Sequence, residues 1–184
     1  VPMVMIMNNL TKDYITIDTN VFVHLFSEQE NEDNHIDKLL RKLIEFEQDE
    51  KIMLLVDCKG RITREYYSQL QKKLDNEDNT SGRATLLEHW IGSENHHLVA
   101  VDFNDGLMGK INKIVPTPPK GKRNTDRILV YVAFKKYRIL ITNDRKDIID
   151  CGNLIDERRK KLRRIRGSKS GADILTSKEA YAKL

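Results

Sequence analysis

Cysteine, proline and tryptophan are scarce: two, four and one in 184 residues. Two thiols, Cys58 and Cys151, cannot build a disulfide framework. They lack CxxC spacing and read as reduced thiols of a cytoplasmic protein. Three of the four prolines crowd into PTPPK at 116–120, so nearly all of the remaining chain is free to form regular structure. No apolar run approaches the ~20 residues of a membrane span, which argues against a membrane protein. The opening VPMVMIMNNL has neither a basic flank nor a small-residue cleavage site and makes a poor signal peptide. A strong charge of one sign is also missing. Thirty-two basic against 28 acidic residues leave +4, a balance that permits a nucleic-acid partner without requiring one.

What is present is periodic. Residues 14–18 (YITID) read as a strand, and Thr19 or Asn20 can cap a short helix through Phe26. Helical spacing of Ile36, Leu39, Leu40, Leu43 and Ile44 predicts a helix over 35–47. KIMLLVD at 51–57 is a continuous apolar run, as in a buried parallel strand. A helix over 62–74 aligns Ile62, Tyr66, Leu70 and Leu74, followed by a polar loop at 75–82 and a helix at 83–91. Residues 97–103 read as extended and 104–115 as helical, while 116–123 is irregular. A helix at 125–136 and a strand at 138–142 follow. Then come a very basic helix at 156–166 and a last strand and short helix within 173–184. Strands alternating with helices, without repeat or linker, predict one α/β domain with a mostly parallel central sheet flanked by helices.

Acids fall at strand ends. Asp18 closes the first strand, Asp57 the second, and Asp144 follows RILITN. Asp126 opens the helix leading into that last strand. A helix of about a dozen residues, rising ~1.5 Å each, returns Asp126 to the same edge. Glu65 sits early in the helix leaving the Asp57 strand. Ligand sites of parallel sheets gather at the carboxyl ends of their strands. Carboxylates crowded there stay ionised only around a cation, and an all-oxygen set suits Mg²⁺ or Mn²⁺. Such ions serve phosphodiester hydrolysis. Singly, each acid has an ordinary use as a helix cap, turn residue or surface charge. Only their joint placement points to a metal.

In three stretches the chain resembles the PIN-domain ribonucleases: ITIDTNVFV at 15–23, KGRITREYY at 59–67, and NTDRILVYVAFKKYRILITNDRKDI at 124–148. The resemblance spans 14–148, in the family's order. It implies a single PIN-like domain over 1–184, with a core at 14–150 and a basic C-terminal extension at 151–184. It implies that Asp18, Glu65, Asp126 and Asp144 are the catalytic, metal-holding acids and that Asp147 is an auxiliary one. Asn20 would brace Asp18, and Thr142 and Asn143 would shape the turn. The implied activity is a Mg²⁺- or Mn²⁺-dependent endoribonuclease acting on RNA, either a toxin of a toxin–antitoxin pair or an RNA-processing enzyme. A toxin would bring a protein antitoxin and a homodimer as partners.

An acid cluster repels a polyanion, so cations are expected beside it. Lys120, Lys122 and Arg123, and Arg158, Arg159 and Lys160 in ERRKKLRRIR, are the candidate nucleic-acid contacts, against the ordinary reading of a solvated helix face. Two alternatives remain open. One is a non-catalytic RNA-binding or protein-interaction domain of the same fold. The other is an aspartyl-phosphate phosphatase, which needs a second acid where Asn20 stands.

Overall fold

The computed structural model describes residues 13–25, 35–49, 51–74, 96–118, 125–166 and 173–183, with positions 88 and 92. Among these, five short strands form one all-parallel sheet: β1 (Asp13–Ile17), β2 (Ile52–Asp57), β3 (His97–Val99), β4 (Ile139–Ile141) and β5 (Asp173–Leu175). Their order is β3-β2-β1-β4-β5. The central strands are buried on both faces because helices cover both. Ile15, Thr16 and Ile17 of β1 are all buried, as are all three residues of β4. In register, Ile15 stands between Leu54 and Ile139, and Ile17 beside Ile141.

The helices are α1 (Thr19–Leu25), α2 (His35–Gln48), α3 (Arg61–Leu74), α4 (Gly106–Asn112), α5 (Thr125–Lys135), α6 (Glu157–Arg166) and α7 (Ser177–Tyr181). Helix α2 buries the apolar stripe its spacing predicts, from Ile36 to Ile44, and packs on β2 and α7. Helix α5 is buried from Thr125 to Phe134, apart from half-buried Asp126, and lies across β1, β2 and β4 and against α3 and α4. A left-handed residue, Tyr137 (φ 56°), stops it. Arg138 N donates to Ala133 O at 2.9 Å and Tyr137 N to Phe134 O at 3.2 Å, the paired bonds of a Schellman stop made without glycine. The chain reverses within two residues and enters β4.

Several boundaries differ from the sequence reading. The extended segment at 97–103 is a strand only over 97–99, and the helix expected at 104–115 is α4, which Asp105 caps through Leu107 N at 2.8 Å. A π-helical turn, Arg145–Ile149, follows β4 where periodicity predicts no element. The core also does not end at 150. Residues 173–175 supply the fifth strand, and Leu162, Ile174, Leu175 and Ala180 join the main apolar cluster. Most of the expected 83–91 helix, the 75–82 loop and residues 119–123 lie outside the described residues. Cys58 and Cys151 are free thiols, and no helix among the described residues is long and apolar enough to cross a membrane.

The start of α5 is tied down by a buried arginine. Arg127 donates to Val115 O from Nε (3.1 Å) and Nη2 (2.9 Å), and from Nη2 to Thr117 Oγ1 at 2.8 Å. Arg127→Leu removes all three bonds and leaves a carbonyl without its charged donor. We expect a loss of about 2–3 kcal/mol in chemical denaturation. Unchanged stability would show that α5 does not need this clamp.

Candidate metal centre at the carboxyl end of the sheet

From β1 the chain moves toward β2, and from β4 it moves toward β5. The two connections therefore part on either side of the β1–β4 pair, which opens a crevice at the carboxyl ends of these strands. Asp18 is the first residue past β1. Thr142, Asn143 and Asp144 follow β4, and Asp147 lies in the π-helical turn. Helix α5 finishes near the start of β4, so its first turn, with Asp126, stands at the carboxyl end. Glu65 is in the second turn of α3, after β2.

Asp18 is 4 % exposed and is held by neutral donors. Its Oδ2 accepts from Thr142 Oγ1 (2.6 Å) and Asn20 Nδ2 (2.8 Å), and its Oδ1 from Asn20 N (3.2 Å). Thr142 Oγ1 in turn accepts from Asp144 N at 2.9 Å, so one hydroxyl joins the two acids. Asn143 N donates to Asn20 Oδ1 at 3.1 Å. Below, the fully buried Tyr66 donates its hydroxyl to Ile17 O and fixes the end of β1.

Asp126, Asp144 and Asp147 come closest together, each offering a carboxylate oxygen within 4.8 Å of the others. Asp144 Oδ1 also accepts from Asp147 N at 2.9 Å and caps the π-helical turn. Oxygens held at about 2.1 Å by a Mg²⁺-sized ion stand at most ~4.2 Å apart, so the three acids come within a few tenths of an ångström of sharing such an ion and close that gap by small side-chain movements. The chemistry of the donor set, hard anionic oxygens only, fits the same ions. The sequence reading made Asp147 an accessory, whereas the structure places it among the three. Asp18 and Glu65 stand outside this group but within reach of its field.

That field is visible in the acids themselves. Burial, above all, pushes the Asp18 carboxyl up to about 7, helped by the charges of Asp144 and Glu65 and opposed by its hydrogen bonds. Asp126 is raised to about 7 by burial and by the charges of Asp18, Asp144, Asp147 and Glu65. Burial also raises Asp144, while its bond from Asp147 N and the nearby Arg158 oppose the rise. Burial lifts the Tyr66 phenol well above its ordinary value, with the Asp18 and Glu65 charges adding to it.

Asp57, by contrast, is fully buried and already neutralised: it accepts from Arg61 Nε at 2.8 Å and caps α3 through Ile62 N at 2.8 Å. The basic helix departs from expectation. Arg158 and Arg159, expected beside Lys160 as nucleic-acid contacts, turn inward and are 9 % and 6 % exposed. Arg158 donates to Lys146 O. Arg159 pairs with Glu179 (2.6 Å) and Asp156 (2.9 Å). The run ERRKKLRRIR hides this because a helix with a basic outer face also places arginines inward, where a backbone carbonyl and acids outside the run receive them. Lys160 alone of the three is exposed. Lys120, Lys122 and Arg123 lie outside the described residues.

The sequence reading also passed over Ser177 and His35. Ser177 donates to Asn143 Oδ1 from N (2.9 Å) and Oγ (3.0 Å), and His35 Nε2 meets Ser177 Oγ at 3.0 Å. The one available signal was the capping box TSKE at 176–179, which marks a helix start but not its destination. Comparison with models of protein families, with curated proteins and with solved structures returned no match.

A raised acid opposes folding where it is charged. The Asp126 contribution is intact below its unfolded value of 3.8 and is lost as pH rises toward about 7. In chelator, Asp126→Asn should therefore stabilise the protein at pH 8. We expect about 1–2 kcal/mol after solvent screening of this half-buried group. The gain should fade toward pH 4. Melting curves across this range test it, and equal melting at pH 8 would show that the cluster carries no repulsion.

Proposed function

We propose that the chain is a Mg²⁺- or Mn²⁺-dependent endoribonuclease. The observation that supports it most is the meeting of Asp126, Asp144 and Asp147 within 4.8 Å at the β1–β4 crevice, with Asp18 and Glu65 adding to their field. The resemblance to PIN-domain ribonucleases in the stretches that carry these acids supplies the reaction class. In this reading Asp126, Asp144 and Asp147 would hold the ion. A bound divalent ion supplies charge neutralisation at a phosphate and makes a bound water more acidic.

The chain's own residues set the stage for that chemistry. Thr142 and Asn20 hold Asp18 by neutral hydrogen bonds rather than by a cation. Thr142 fixes the Asp144 backbone in the same contact. Asp126 comes from the first turn of α5 and Asp144 and Asp147 from the turn after β4, so two separate elements bring the acids within 4.8 Å. Exposed lysines such as Lys160 offer phosphate contacts that add affinity without reading sequence. As a toxin, the chain would also take an antitoxin and pair with itself, and it would work in the cytoplasm.

The decisive variant is again Asp126→Asn, because its fold is expected to gain rather than lose stability. Its Mn²⁺-dependent cleavage of a single-stranded RNA should fall at least about 100-fold, close to 3 kcal/mol of barrier. Chelator should abolish wild-type cleavage. Equal rates in the two proteins would end the assignment.

A further inference from the structure

The end of the described chain reaches into the candidate metal centre. Helix α7 begins at Ser177, which is 1 % exposed, and packs along α2. Its cap is complete without the serine side chain. Thr176 Oγ1 accepts from Glu179 N (3.2 Å), and Glu179 Oε2 accepts from Thr176 N (2.8 Å) and from Arg159. The Ser177 hydroxyl is thus free for another task, and it is aimed at Asn143.

Asn143 Oδ1 takes both Ser177 donors, which settles the amide orientation. Its Nδ2 then faces His24 Nδ1 at 3.5 Å. With the hydroxyl proton directed to Asn143, His35 Nε2 is the donor to Ser177 Oγ, a tautomer assigned from the network. From Asn143 the bonds continue through its backbone N to Asn20 Oδ1, and from Asn20 Nδ2 to Asp18 Oδ2. The backbone neighbours of Asn143 are Thr142, which donates to Asp18, and Asp144 itself.

We propose that Ser177, seated by His35, is a positioning residue of the acid cluster: it fixes Asn143, and through Asn143 the relative placement of Asp18 and Asp144. Its consequence for divalent-ion binding rests on the reading above, and its geometric content does not. Partners that orient ligand-bearing groups commonly carry 10–100-fold in metal affinity.

Two measurements on full-length protein separate these levels. In metal-free protein, NMR exchange of the Asn20 and Asn143 side-chain amide protons reports the relay. Ser177→Ala should speed that exchange at least about tenfold while the Thr176–Glu179 cap keeps α7 in place, and Ser177→Thr, which retains the hydroxyl, should restore it. In calorimetry, Ser177→Ala should weaken Mn²⁺ binding about tenfold. Exchange unchanged in Ser177→Ala overturns the proposal. If wild type binds no Mn²⁺, the metal reading falls, and the amide exchange still decides the positioning role. Should Ser177→Ala fail to fold, His35→Ala decides by the same exchange, faster in support and unchanged in refutation.

Discussion

Carboxylates brought together away from water repel each other and lose hydration, and the crevice between β1 and β4 holds them against both costs. It does so with neutral donors. Asp18 is bound by a threonine hydroxyl, an asparagine amide and a backbone N–H, and Asp144 by a backbone N–H. Acids elsewhere are treated differently. Asp57 meets Arg61, Asp105 meets Lys135, Asp150 meets Arg145, and Asp173 meets Arg163. Those pairs cancel charge with a cation, whereas the crevice offers neutral donors, and burial and mutual repulsion raise Asp18 and Asp126 to about 7. Arg158 only partly offsets this, at Asp144. A divalent ion among these acids would favour their charged forms in place of protons.

The sheet makes this arrangement affordable only because its centre is rigid. β1 and β4 are buried on both faces and joined in parallel register, and α5 lies across them. Tyr66 from α3 grips the last carbonyl of β1. The reversal at Tyr137 sets β4 directly after α5, so Asp126 and Asp144 are delivered by one continuous helix–turn–strand unit. Their separation therefore depends little on the longer connections elsewhere.

Much of this was legible in the sequence, because its signals are local. Helix stripes such as Ile36 to Ile44 and apolar runs such as KIMLLVD state their own burial. Acids placed just after strands declare which end of the sheet they occupy. What could not be read was non-local. The inward turn of Arg158 and Arg159 depends on acceptors 12 and 20 residues away. The role of Asp147 depends on a π-helical turn that has no propensity signature. Ser177 reaches Asn143 across 34 positions and His35 across 142. Periodicity says which face of a helix is apolar, but not which hydrogen bonds its first residue will make.

The order in which a polypeptide is made gives the Ser177 contact a temporal meaning. Synthesis proceeds from the amino end, and the carboxylates at 18, 65, 126, 144 and 147 all emerge before residue 173. A nascent chain halted there would own every acid yet lack the fifth strand and the serine that steadies Asn143. The brace can close only after residues 173–181 have been made and have left the ribosome, so the geometry of the crevice is among the last things this stretch of chain acquires.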